Sequence, residues 1–197
     1  MNDVSARIIC VTGGIGAGKS IVSTILRLKG FVVYDCDSAA RRLMETDGIL
    51  KEGLVSILGN GVYMPDGSLD RKMMASIIFS DDNTRGKVNR LVHSAVREDM
   101  ERVSERNGLI FVETAIPVTS EIDKMAFSVW MIDAPERLRL ERACGRDNVP
   151  AESVIARMRS QREEFSGLPA SRTVRIINDG ETPLLPVIER LIENLIN

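Results

Sequence analysis

The sequence predicts an α/β fold built on a five-stranded parallel sheet with helices on both faces. Two observations lead there. Apolar, β-rich runs at 7–12, 31–35, 109–114, 127–133 and 173–177 alternate with helical patterns. Those runs are almost continuously apolar, as suits strands covered on both sides. A third observation adds an insertion. The interval from the second strand to the third far exceeds what a crossover needs, so residues 38–106 read as a helical subdomain.

The first element is Arg7 to Thr12, followed by a turn holding four glycines in six residues. From Lys19 the residues Ile21, Val22, Ile25, Leu26 and Leu28 recur at helical spacing, and the helix stops at Gly30. Gly13, four residues, then Gly18-Lys19-Ser20 is the phosphate-binding pattern G-x-x-x-x-G-K-[ST]. The chemistry requires these residue types. Consecutive N–H groups of Gly13, Gly14, Ile15, Gly16, Ala17 and Gly18 must face one concavity, which larger side chains would block. The following helix adds its unpaired N–H groups and its dipole. Lys19 brings a mobile positive charge to the β- and γ-phosphates, and Ser20 a hydroxyl ligand for Mg²⁺. The loop therefore calls for a nucleotide's phosphates, with any Mg²⁺ arriving alongside them.

The second strand ends in "VVYDCDSAARRL". If the chain stays extended there, Asp35 and Asp37 point to one face at the carboxyl end of the strand, where open α/β sheets bind ligands. One carboxylate suits the proton of an attacking hydroxyl, and the other a water on Mg²⁺. For Asp35 a helix cap is the other reading.

Further helical patterns occupy 37–58, 70–79, 84–106, 135–145, 151–164 and 182–196. Pro65-Asp66-Gly67 is turn chemistry. The apolar stripe of the 84–106 helix, from Val88 to Val103, reads as core. Arg137, Arg139, Arg142, Arg146, Arg157, Arg159 and Arg162 crowd residues 135–164. Most read as a solvated surface. Arg142 and Arg146, four apart on one helix face, read as groups that answer charge spread over phosphoryl oxygens.

At 197 residues the chain is one domain with an insertion, and its net charge of −2 favours neither nucleic acid nor a membrane surface as partner. No apolar run approaches the roughly 20 residues that span a bilayer, and no signal-peptide pattern is present. Cys10, Cys36 and Cys144 read as buried thiols of a reducing cytoplasm. A single histidine without a cysteine cluster leaves no zinc site of the usual spacing. Guanine-nucleotide switches are excluded, because no asparagine precedes a lysine and no aspartate has glycine three positions on.

The series "VTGGIGAGKS", "DCDSAARRL", "PDGSLDR", "LVH", "R…GRD…RM…Q" and "IINDG" resembles dephospho-CoA kinases in order and spacing, from about residue 7 to 195. The resemblance implies a P-loop, nucleoside-kinase-like three-layer fold with a helical CoA subdomain at 38–106 and a lid at 135–164. The nucleotide core would then comprise 7–37, 107–134 and 165–197. It implies transfer of the γ-phosphate of ATP to the ribose 3′-hydroxyl of dephospho-CoA by a cytoplasmic monomer or small homo-oligomer. By position, it makes Asp37 the general base and places Arg71 and His93 on the acceptor. Arg142 and Arg146 become lid arginines, and Asn178 lies beside adenine. The chain departs from the family pattern at Cys36, Ser94, Thr119 and Arg172-Thr173. Thr119 stands on a glutamate position, with Glu121 or Glu113 as compensating carboxylates. A different small-molecule kinase and an idle nucleotide-binding protein are the competing classes.

Overall fold

The computed structural model describes residues 7–196. Its strands are β1 (Arg7–Gly13), β2 (Val32–Asp35), β3 (Leu109–Glu113), β4 (Ser128–Asp133) and β5 (Thr173–Ile177). They form one sheet in the order β2-β3-β1-β4-β5. β1 runs parallel to β3 and β4, and β5 parallel to β4. The helices are α1 (Lys19–Leu28), α2 (Cys36–Thr46), α3 (Gly48–Leu58), α4 (Arg71–Ser80), α5 (Asp82–Asn107), α6 (Ile122–Met125), α7 (Glu136–Asp147), α8 (Ala151–Ser160), α9 (Arg162–Ser166) and α10 (Leu184–Ile196).

The chain divides into two compact units. One runs from Asp35 to Val103; the other holds the sheet and the remaining helices. In the sheet unit, Ile9, Val11, Phe111, Trp130, Ile132 and Ile176 share one face by the two-residue strand period. They pack with Val22 and Leu26 of α1 and Ile188 and Ile192 of α10. Phe111 is the hub, 5.1 Å from the Trp130 ring and edge-on to Phe31 at 5.3 Å. The opposite face carries Ile8, Cys10, Ile110, Val112 and Val129, all buried, and α6 packs on β1 there. Cys10 is fully buried, and burial together with Asp123 pushes its thiol up to about 12. A neutral thiol is unreactive, in keeping with a small apolar core residue.

In the helical unit, α2 and α3 replace the single helix expected over 37–58. Asp47 turns extended, and its carboxylate accepts the Leu50 N–H at 2.9 Å, which caps a new helix start. The turn at Pro65-Asp66-Gly67 closes a short antiparallel bridge between Tyr63 and Leu69. Asp66 accepts from both the Ser68 N–H and hydroxyl, which holds its carboxyl below the usual range. The helix expected over 151–164 is likewise two, α8 and α9, broken at Gln161. α6 has no counterpart among the expected elements. At one turn, it is too short to show a period.

β1 lies where the strand order reverses, so the loop leaving its carboxyl end opens at the crevice that such sheets offer to ligands.

Candidate phosphate-binding and transfer site

The loop between β1 and α1 is held by its own backbone and by β5. Ala17 N–H donates to the Gly14 carbonyl at 3.0 Å, which makes the tight turn. Gly18 caps α1 with φ 100°, a left-handed conformation that side chains other than glycine rarely adopt. A Cβ there would also collide with the Asn178 side-chain amide. That amide is buried and donates to the Ala17 carbonyl at 2.8 Å. The Asn178 backbone is held in turn. Its N–H donates to the Asp133 carbonyl at 2.7 Å, and its carbonyl accepts from Arg142 Nη1 at 3.0 Å. The ends of β4 and β5, α7 and the loop are thus joined through one asparagine.

Lys19 Nζ donates to the Gly13 carbonyl at 2.7 Å, so the ammonium lies over the loop. Ser20, next in α1, is exposed, and no acidic residue stands in the first turn. A helix N-terminus, a lysine and a hydroxyl with no opposing carboxylate in that turn form a donor set for polyphosphate and for the Mg²⁺ that accompanies it. The residues present therefore fit both groups. The Ile15 N–H, expected to face the phosphates, instead donates to Gln161 Oε1 at 2.9 Å. The Ile15 side chain packs against the small core of α7 and α8 around Ala143, Val154 and Met158.

A model of the dephospho-CoA kinase family matches residues 7–183. The chain belongs to the dephospho-CoA kinase family. Enzymes of this family phosphorylate dephospho-CoA in the final step of coenzyme A biosynthesis. Among relatives, the dephospho-CoA kinase of Porphyromonas gingivalis is 36% identical over 189 residues, covering 95% of this chain and 93% of that protein. That of Bacteroides fragilis is 35% identical over 187 residues, covering 93% and 90%. Among solved structures, TT1252 from Thermus thermophilus superposes with a TM-score of 0.77 at 28% identity, covering 98% of this chain and 97% of that one.

Within this dephospho-CoA kinase frame, Arg142 and Arg146 part company. Arg142 is bound to the Asn178 carbonyl beside the phosphate loop. Arg146 turns to Asp147, with Nε at 2.7 Å and Nη2 at 3.1 Å from the two carboxylate oxygens. Arg157 adds a third bond to Asp147 at 3.1 Å. The hydrogen bond from Arg146 holds the Asp147 carboxyl below its ordinary range, and Asp147 raises Arg146 in return.

At the departure Thr119 the structure places a third carboxylate. Glu164 of α9, 8% exposed, meets the loop after β3. Its Oε2 accepts from the Val118 N–H at 3.0 Å and the Thr119 N–H at 3.1 Å, and its Oε1 accepts from the Thr119 hydroxyl. Glu121 instead pairs with Lys124 at 2.5 Å. The departure at Arg172 also has local work, since its Nη1 donates to the Ala126 carbonyl at 2.6 Å.

Asp35, Asp37, Arg71 and His93 belong to the helical unit. Asp35 and Asp37 do not share a strand face, because α2 begins at Cys36. The Asp35 carboxylate caps α2, accepting from the Asp37 N–H at 3.0 Å, the Ser38 N–H at 3.3 Å and the Ser38 hydroxyl at 2.8 Å. Asp37 lies in the first turn of α2 and is exposed. Arg71 pairs with Glu45 at 2.8 Å, and His93 sits half-buried within α5.

Three residues of the sheet unit escaped sequence reasoning: Gln161, Glu164 and Arg139. The glutamine does stand in the motif series, but its spacing carries no chemistry of its own.

Proposed function

We propose that the chain transfers the γ-phosphoryl group of ATP to the ribose 3′-hydroxyl of dephospho-CoA, giving coenzyme A and ADP, with the following division of labour. The β1–α1 loop and Lys19 bind the β- and γ-phosphates. When bound with the nucleotide, Mg²⁺ neutralises developing phosphate charge, and Ser20 is its protein ligand. Asp37 accepts the proton of the 3′-hydroxyl as the oxygen–phosphorus bond forms and the bond to the bridging oxygen of ADP breaks. Asp35 holds the start of α2 and so fixes the position of Asp37. Asn178 and Arg142 brace the loop where adenine lies. Residues 38–106, with Arg71 and His93, bind the CoA moiety, and 135–164 act as the lid. Such a transfer from free ATP fits a cytoplasmic protein. Among the described residues no helix is long and apolar enough to cross a membrane.

The observation that carries this reading is the braced phosphate loop in a chain that matches the family over residues 7–183. Incubation with ATP, Mg²⁺ and dephospho-CoA, with mass detection of products, tests it. The expected result is one coenzyme A per ADP formed. ATP binding without coenzyme A would overturn it.

A further inference from the structure

Arg139 sits on α7, three residues before Arg142, and sequence reasoning leaves it among the solvated arginines. Its position is different. A methyl group built on Gly14 would collide with Arg139 Nη1, so the guanidinium occupies the space against the phosphate loop that a side chain at position 14 would take. A methyl group on Gly16 would strike the Arg139 backbone. The Arg139 Nε is buried and has no hydrogen-bond partner among the described residues. A buried donor normally finds a partner, and one without it at a cradle for anions points to a ligand.

The surroundings narrow the ligand. Arg139 lines a cavity of about 250 Å³ with Arg159, Arg162, Glu136 and an apolar floor that includes Met158 and Phe165. Three guanidinium groups against one carboxylate leave that cleft cationic. Of the two arginines expected in this role, Arg142 is engaged by the Asn178 carbonyl and Arg146 by Asp147. The loop and Lys19 would receive the β- and γ-phosphates, so a guanidinium held against Gly14 stands beside the end of the triphosphate that is transferred. A planar guanidinium bonds two of its oxygens at once, and the charge on those oxygens shifts during transfer.

We propose that Arg139 is a catalytic residue that contacts the terminal phosphate of the bound nucleoside triphosphate. This rests on the transfer reaction above but adds a residue that nothing else assigns. It has a signature that a merely structural arginine lacks. A contact to the third phosphate stabilises a triphosphate and not a diphosphate.

The test compares Arg139→Ala, Arg139→Lys and Arg139→Gln with Arg137→Ala, an exposed arginine on the same helix. Binding of the β,γ-imido analogue of ATP and of ADP is titrated without acceptor, and turnover is measured with it. For Arg139→Ala, affinity for the ATP analogue falls about 10-fold, ADP affinity stays within about twofold, and kcat falls on the order of 10²-fold. Arg139→Lys, which keeps the charge and loses the fork, recovers part of kcat. Arg137→Ala matches wild type. If Arg139→Ala does not fold, Arg139→Gln and Arg139→Lys carry the same comparison. Equal losses for both nucleotides, or none for either, overturn the proposal. Discrimination between the nucleotides without coenzyme A formation by the wild type would overturn the proposed reaction and leave the phosphate contact standing.

Discussion

The Ile15 N–H donates to Gln161 Oε1 at 2.9 Å, joining residues 146 positions apart. Ile15 belongs to the phosphate loop and also packs into the α7–α8 core. Gln161 stands at the break between α8 and α9. The proposed lid is therefore fastened to the loop by one side chain inserted in its core and by one hydrogen bond.

Removing that bond should separate lid placement from stability. A single hydrogen bond contributes roughly 0.5–1.5 kcal/mol net, so Gln161→Leu should shift the melting temperature by only a few degrees. Its effect on ATP use should be larger, because closure over the nucleotide loses its fastening. We expect kcat/KM for ATP to fall about 10-fold. Steady-state kinetics at varied ATP, with a melting curve on the same samples, checks this. Unchanged kinetics would remove Gln161 from the lid.

Glu164 is the second fastening, and here stability should respond. Its buried carboxylate is the acceptor for two backbone N–H groups and a hydroxyl of the 118–119 loop. Glu164→Ala leaves those donors without it, and hydrogen bonds to charged groups are worth about 1.5–3 kcal/mol each. Partial rehydration lowers the total, so a loss of roughly 2–4 kcal/mol is expected. Glu164→Gln keeps an acceptor oxygen and should lose less. Urea unfolding of both variants decides, and equal stability of Glu164→Ala and wild type would contradict the anchoring role.

Lys19 lies over the loop through its bond to the Gly13 carbonyl. In the transfer, the ammonium should leave that carbonyl for phosphate oxygens, whose charge it offsets. Lys19→Met removes the charge and keeps the aliphatic stem. Turnover should fall on the order of 10²-fold or more, while the fold, read by melting temperature, holds. A variant that retains most of the wild-type kcat would exclude Lys19 from the chemistry.

How much of this was legible in the sequence depends on how local each interaction is. The glycine turn between β1 and α1 was, because its glycines, Lys19 and Ser20 all lie within eight residues. The strands and most helices were, because apolar period reports them directly. Asp47 shows a local signal outweighed. Its cap and the following Gly48 mark a helix start, yet the apolar pattern across 37–58 suggests continuity. Asp35 and Asp37 show a wrong conformational premise, since the helix starts one residue earlier than an extended pair requires. The contacts of Gln161, Glu164 and Arg139 were not legible. Their partners at 15, 118–119 and 14 are distant in the chain, and a glutamine, a glutamate and an arginine among many charged neighbours look like surface. Only the packed fold distinguishes them.

The last prediction separates the two aspartates of α2. Asp35 accepts the N–H groups of Asp37 and Ser38, and its duty as a cap needs an acceptor oxygen but no negative charge. Asparagine caps helices about as well as aspartate. Asp35→Asn should therefore keep the fold, whereas Asp35→Ala should lose about 1 kcal/mol. Asp37 is different, since it is exposed and none of the cap's bonds use its carboxylate. If it takes the proton of the acceptor hydroxyl, asparagine keeps its size but cannot hold that proton. General-base contributions are typically 10²–10⁴-fold, so Asp37→Asn should lose on the order of 10²-fold or more in kcat. Affinity for ATP should stay close to wild type, because the proton moves only in the transfer step. Stopped-flow turnover and nucleotide titration of both asparagine variants provide the comparison. A fully active Asp37→Asn enzyme would assign the proton to solvent and leave Asp37 without a part in the reaction.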